Sequence, residues 1–144
     1  MENILVSACL LGVACRYDGK RKPNEAVIAL KEKYNLIPVC PEIMGGLPTP
    51  RLPSEIRGET VIMENGEDVT DKYSRGAEET LRLARLFGCG KAVLKEKSPS
   101  CGSGRIYDGT FSKTLTEGNG ITAGMLLANG IRVAGETEID ALSD

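Results

Sequence analysis

The stretch "NILVSA", residues 3–8, is an apolar run that ends in small residues. It lacks the polar-apolar alternation of a half-wet strand, so it reads as a parallel strand covered on both faces. "NLIPVC" (35–40), "KAVLK" (91–95) and "IRVAG" (131–135) are short runs read as core strands in the same way. Between the first two lies "EAVIALKEKY" (25–34), introduced by Pro23 and Asn24, whose apolar positions recur at helical spacing. A second helix covers "TDKYSRGAEETLRLARLFG" (70–88), capped near Thr70 and stopped at Gly88. A short third covers "GNGITAGMLLANG" (118–130) and ends at Gly130. "ETVIMENGED" (59–68) reads as a hairpin turning at Asn65-Gly66. The order β-α-β, hairpin, α-β, α-β predicts an α/β fold: three layers, Rossmann-like, with a mainly parallel sheet and a small hairpin. Residues 1–144 show no internal boundary and suit a single domain.

Lys and Arg number 18 against 20 Asp and Glu, a net charge of −2. This weighs against a nucleic-acid partner, which calls for a basic surface, and leaves a small-molecule ligand. The segment "VSAC" resembles a lipoprotein cleavage box, but no Lys or Arg precedes Cys9 and the stretch is too short for a secretory signal. No run reaches the ~18 apolar residues of a membrane span. The expected location is therefore cytoplasmic, where the five cysteines stay reduced. The chain contains no histidine, so triads and imidazole-bound zinc are excluded.

In a parallel α/β sheet the strand C-termini share one edge, where ligands bind. Cys9 follows the first strand, Cys40 ends the second and Cys101 lies just beyond the third, so three thiols far apart in sequence are expected to meet there. Cys89 precedes the third strand and falls about 17 Å away at the opposite edge, a structural position. Cys15, six residues past Cys9, is within reach of the site. Three thiolates leave one position of a metal centre open, whereas structural zinc takes four closed ligands and iron–sulfur clusters usually have four cysteines.

Two residues after Cys40 comes Glu42, in a loop, "CPEIMGGLPTPRLPSE" (40–55), whose four prolines argue against regular structure. With no histidine, a carboxylate beside a metal is the natural proton carrier. Ser98 and Ser100 flank Pro99 just before Cys101, either as turn formers or as working hydroxyls. "GNGITA" (118–123) matches the dinucleotide fingerprint, but the segment before it is not a clear buried strand, so that role is rejected. Its helix N-terminus remains a candidate anion site. The repeated "YDG" of residues 17–19 and 107–109 reads as one Asp-Gly turn used twice.

At "SACLLG…RYDG", "CPEIMGGLPTPR" and "SPSCG…YDG" the chain resembles the thiouracil desulfidase family over nearly its whole length. The resemblance implies an oxygen-sensitive 4Fe-4S cluster on Cys9, Cys40 and Cys101, an added sulfide ligand being the open variant. Cys15 is left out of the ligand set. It implies Glu42 as catalytic acid and a catalytic serine in "SPSCG", with Ser98 slightly ahead of Ser100. The implied reaction is non-redox removal of sulfur from 2- or 4-thiouracil, or its nucleotide, by an open Lewis-acidic iron. Arg16, Asp18 and Arg51 are the candidates for recognising the base or a phosphate. Two other readings stand beside this one: a binding module that closes a metal with Cys9, Cys15, Cys40 and Cys101, and a persulfide carrier using Cys101 as nucleophile.

Overall fold

The computed structural model describes residues 1–143. The chain passes through β1 (Glu2–Ser7), α1 (Glu25–Ile28), β2 (Tyr34–Val39), α2 (Pro41–Met44), β3 (Ser54–Arg57) and β4 (Thr60–Met63). It continues through α3 (Thr70–Leu86), β5 (Lys91–Leu94), β6 (Arg105–Tyr107), β7 (Leu115–Glu117), α4 (Ile121–Ala128) and β8 (Arg132–Gly135). Tight 3-10 turns occupy Ala8–Leu11, Ala29–Glu32 and Ile139–Leu142.

β2, β1, β5 and β8 lie side by side, all parallel, in that order. The apolar strand runs are explained by burial on both faces. Ile4 and Val6 of β1 pack with Val27, Val93 and Leu142 on one side. Leu5 packs on the other with Leu94, Ala84, Ala123 and Leu126, residues of β5, α3 and α4. Burying each such side chain contributes about 1.5–3 kcal/mol. The chain leaves β1 for β2 on one flank and crosses to β5 on the other, so the sheet's switch point lies between β1 and β5. Parallel α/β sheets bind ligands at the C-terminal end of such a crevice. Among the described residues no helix is long and apolar enough to cross a membrane.

Three local expectations are corrected. The helix expected over 25–34 is a single α turn, Glu25–Ile28, followed by the 3-10 turn, and Tyr34 already pairs with Glu2 in the sheet. Only Val27 of these turns is buried, so little apolar surface holds a longer helix to the sheet. The hairpin β3-β4 turns at Gly58-Glu59, where Gly58 takes φ 61°. Asn65-Gly66 makes a second reversal just beyond it, with Gly66 N–H donating to the Met63 carbonyl at 2.8 Å. The proline-rich loop opens with a helical turn, since Pro41 stands at the first position of α2, where a missing N–H costs nothing. The segment "TFSKTLTE" is not a buried strand, as expected: its β7 is half-buried at Leu115 and exposed at Thr116 and Glu117, and pairs antiparallel with β6 in a separate two-stranded ribbon. Both "YDG" copies are aspartate turns: Asp18 Oδ1 accepts from Lys20 N–H and Asp108 Oδ1 from Thr110 N–H, each at 3.0 Å.

One packing contact places the site. α2 lies directly on α3, and a methyl group added at Gly76 would overlap the Pro41 carbonyl oxygen. A methyl at Gly45 would likewise overlap the Lys72 carbonyl. Glycine at both positions lets two backbones touch, which brings residue 42 against residue 73.

Candidate active site

Ser7 ends β1 and Cys9 sits in the 3-10 turn that follows it. Cys40 directly follows β2 and precedes the first residue of α2. Cys101 returns to the same edge in the loop beyond β5. The thiols sense one another. Burial pushes Cys9 up to about 11, neighbouring Cys40 adds to the rise, and Lys95 and Arg16 oppose it. Burial pushes Cys101 up to about 12, against hydrogen bonds from Ser7 and Ser100, while Cys9 and Glu42 add to the rise. Cys40 is brought down to about 7, chiefly by the thiol of Cys15. Cys15 is raised by that same hydrogen bond and then by burial. Cys89 precedes β5, at the opposite end of that strand, where it is buried, and what raises its thiol is burial and then Glu2.

Glu42, in the first turn of α2, is held at both oxygens. Its Oε1 accepts from Arg51 Nε and from the Tyr73 hydroxyl, both at 3.0 Å. Its Oε2 accepts from Ser100 Oγ at 2.8 Å. The side chains of Arg51 and Glu42 are only 4% and 14% exposed, so their ion pair is shielded from water. Tyr73 is buried, and its hydroxyl is held in the neutral, proton-donating form first by burial and then by the Glu42 charge.

The two serines do different things. Ser98 Oγ accepts the Cys101 amide at 2.7 Å and shapes the turn, in which Gly102 N–H also donates to the Ser98 carbonyl at 3.0 Å. Ser100 is buried, and its hydroxyl stands between Ser98 Oγ at 3.3 Å and Glu42. Ser98, Ser100 and Glu42 therefore form one hydrogen-bonded row beside Cys101.

Arg16 forms a two-pronged pair with Asp18, Nε and Nη2 each 3.2 Å from a carboxylate oxygen. That pair holds the Asp18 carboxyl down to about 2. Arg51 spends its fork inside the protein, on Glu42, on the Pro48 carbonyl and Thr49 hydroxyl at 3.1 Å, and on the Cys15 carbonyl at 2.8 Å. The α4 N-terminus is likewise occupied, its amides at Ile121, Thr122 and Ala123 donating to the Pro99 and Ser100 carbonyls. This fixes the cysteine loop and leaves those amides no free role as an anion site.

A family model described as 2-thiouracil desulfurase matches residues 4–138. The chain belongs to this family. It is 43% identical over 147 residues to the Bacillus subtilis protein YbbK, covering 95% of this chain and 97% of that protein. It also matches the solved structure of a 4Fe-4S-dependent thiouracil desulfidase, TudS, with 47% identity and a TM-score of 0.93 over 99% of this chain and 96% of that one.

The donor set of this desulfurase-family chain at the sheet's C-terminal edge includes several free thiols. Among the described residues no three Cys, Asp or Glu side chains close around one point. A tetrahedral zinc with Zn–S bonds near 2.3 Å would need sulfurs about 3.8 Å apart. Cysteine sulfur is the donor that iron–sulfur clusters take, and Cys9, Cys40 and Cys101 are free cysteines that offer it.

Three participants were not singled out from the sequence. Tyr73 grips Glu42 from α3. Ser7 donates to Cys101 Sγ at 3.3 Å. Lys95, paired with Glu136 at 2.6 Å, lies near enough to Cys9 to favour its thiolate. Only Lys95 carried a local signal, as a cation ending a buried strand.

Proposed function

We propose that this chain hydrolyses the C–S bond of a thiolated pyrimidine, 2- or 4-thiouracil or its nucleotide, giving uracil and sulfide. Cys9, Cys40 and Cys101 would hold a 4Fe-4S cluster, with or without an added sulfide. The observation that carries the reading is the row Ser98–Ser100–Glu42 set against Cys101, in a chain with no histidine to move protons. When bound, the cluster supplies an iron without a protein ligand, a Lewis acid for the substrate sulfur.

Glu42 is the proton carrier. Arg51 and Tyr73 hold Oε1, so the carboxylate keeps its orientation while Oε2 serves Ser100 and an incoming water. Ser100 orients that water or the base, and Ser98 holds the Cys101 turn. Arg51 becomes a positioning residue for Glu42 instead of a substrate contact. Arg16, oriented by Asp18 and close to Cys9, is left to meet the base or a phosphate. The net charge of −2 favours a small-molecule partner over nucleic acid, and a reducing cytoplasm suits the free thiols.

The test is Glu42→Gln after anaerobic reconstitution. Sulfide release should fall roughly 10²- to 10⁴-fold while iron per chain stays at the wild-type level. Activity within twofold of wild type would remove Glu42 from the chemistry.

A further inference from the structure

We infer that Ser7 is a positioning residue for the metal centre: its one hydroxyl proton is committed to the Cys101 sulfur, which makes the bound cluster more electron-poor. Ser7 is 2% exposed at the C-terminal end of β1, at the sheet's switch point. Its Oγ accepts the backbone N–H of Lys95 at 2.9 Å and lies 3.3 Å from Cys101 Sγ. The Lys95 amide occupies the acceptor side, so the proton goes to sulfur. Ser100 Oγ also lies 3.6 Å from that sulfur, but it has the Glu42 carboxylate at 2.8 Å for its proton. Ser7 is therefore the committed side-chain donor to this thiol.

The hydroxyl is also fixed in place. β1 and β5 pair through Leu5–Ala92 and Val6–Val93, and the Ser7 side chain then catches the first amide beyond β5. The Glu136 carboxylate pins that segment, taking the Lys95 ammonium at 2.6 Å and the Glu96 amide at 2.7 Å. A hydrogen bond to a ligating sulfur withdraws negative charge from the iron it serves. It thereby raises the reduction potential and strengthens the Lewis acid.

The inference rests on Cys101 being a cluster ligand. That premise is tested separately by Cys101→Ala, which refutes it if wild-type iron content survives. For Ser7 the readout is an anaerobic reductive titration followed by electron paramagnetic resonance. Ser7→Ala should shift the reduction equilibrium about tenfold toward the oxidised cluster, 59 mV lower for one electron. Its kcat should fall several-fold with KM unchanged, and Ser7→Thr, which keeps the hydroxyl, should restore both. A wild-type potential in a fully loaded Ser7→Ala protein would overturn the inference and leave Ser7 as a strand-end fastener. Should Ser7→Ala fail to load, the reduced wild-type protein supplies the second measurement. Double-resonance spectra in H2O and D2O should show an exchangeable proton coupled to the cluster, and its absence would overturn the inference equally.

Discussion

Replacing Ser98 and Ser100 one at a time by alanine separates scaffold from chemistry within one loop. Ser98 Oγ accepts the amide of buried Cys101 at 2.7 Å. Ser98→Ala leaves that N–H without its partner, a cost of about 1–3 kcal/mol. At roughly 4 °C per kcal/mol for a chain of this size, Tm should fall about 4–12 °C. Ser100→Ala removes one donor from Glu42, which keeps Arg51 and Tyr73. Its stability cost should stay below about 1.5 kcal/mol, within the range of one net hydrogen bond. The kinetic order is reversed. Losing the hydroxyl next to the proton carrier should lower kcat about 10²- to 10⁴-fold, whereas Ser98→Ala should cost less than about tenfold. Anaerobic reconstitution, iron determination, a thermal melt and sulfide release from 4-thiouracil measure all of this on the same samples. If Ser98→Ala loses more activity than Ser100→Ala at equal iron content, the assignment of roles is wrong.

Gly76→Ala forces the Pro41 carbonyl off α3 by roughly 1–1.5 Å, an overpacking cost of about 1–3 kcal/mol. Because Glu42 follows Pro41, a misplacement of about 1 Å should also lower kcat about 10²-fold, and unchanged Tm and kcat would show that α2 is not held this way. Arg51→Lys keeps the charge but loses a fork that ties Glu42, Pro48, Thr49 and Cys15 together. Steady-state assays should show kcat down by about 10- to 100-fold at full iron content; a KM effect alone would return Arg51 to substrate recognition. Cys15→Ala should keep wild-type iron, since Cys15 serves Cys40 by hydrogen bonding and Arg51 by its carbonyl. Loss of iron in Cys15→Ala would favour a centre closed by four thiols.

The parallel sheet is legible in the sequence because "NILVSA" and "KAVLK" are buried on both faces and carry no alternation to confuse the reading. Strand topology then sends Cys9, Cys40 and Cys101 to one edge with no knowledge of side-chain geometry. What stays hidden is reach between elements. The Tyr73–Glu42 contact spans 31 residues and the Ser7–Cys101 contact 94, and nothing in either local sequence announces the partner. The serines beside Pro99 look equivalent in sequence; the turn that gives Cys101 N–H to one and Glu42 to the other exists only in three dimensions. Two local misreadings have the same root. Helical spacing over 25–34 runs on into Tyr34, which pairing with β1 claims for the sheet. At the hairpin two turn signals stand seven residues apart, and strand pairing selects Gly58.

The most direct test of the central claim is the iron content of the anaerobically reconstituted protein, set beside sulfide release from thiouracil, for the wild type and for Cys9→Ala, Cys40→Ala and Cys101→Ala. The account predicts a brown wild-type protein with about four irons per chain, as in the 4Fe-4S-dependent relative, and loss of iron and sulfide release together in each variant. A colourless, iron-free protein that still releases sulfide, or a variant lacking any of the three thiols that keeps both cluster and activity, would contradict it.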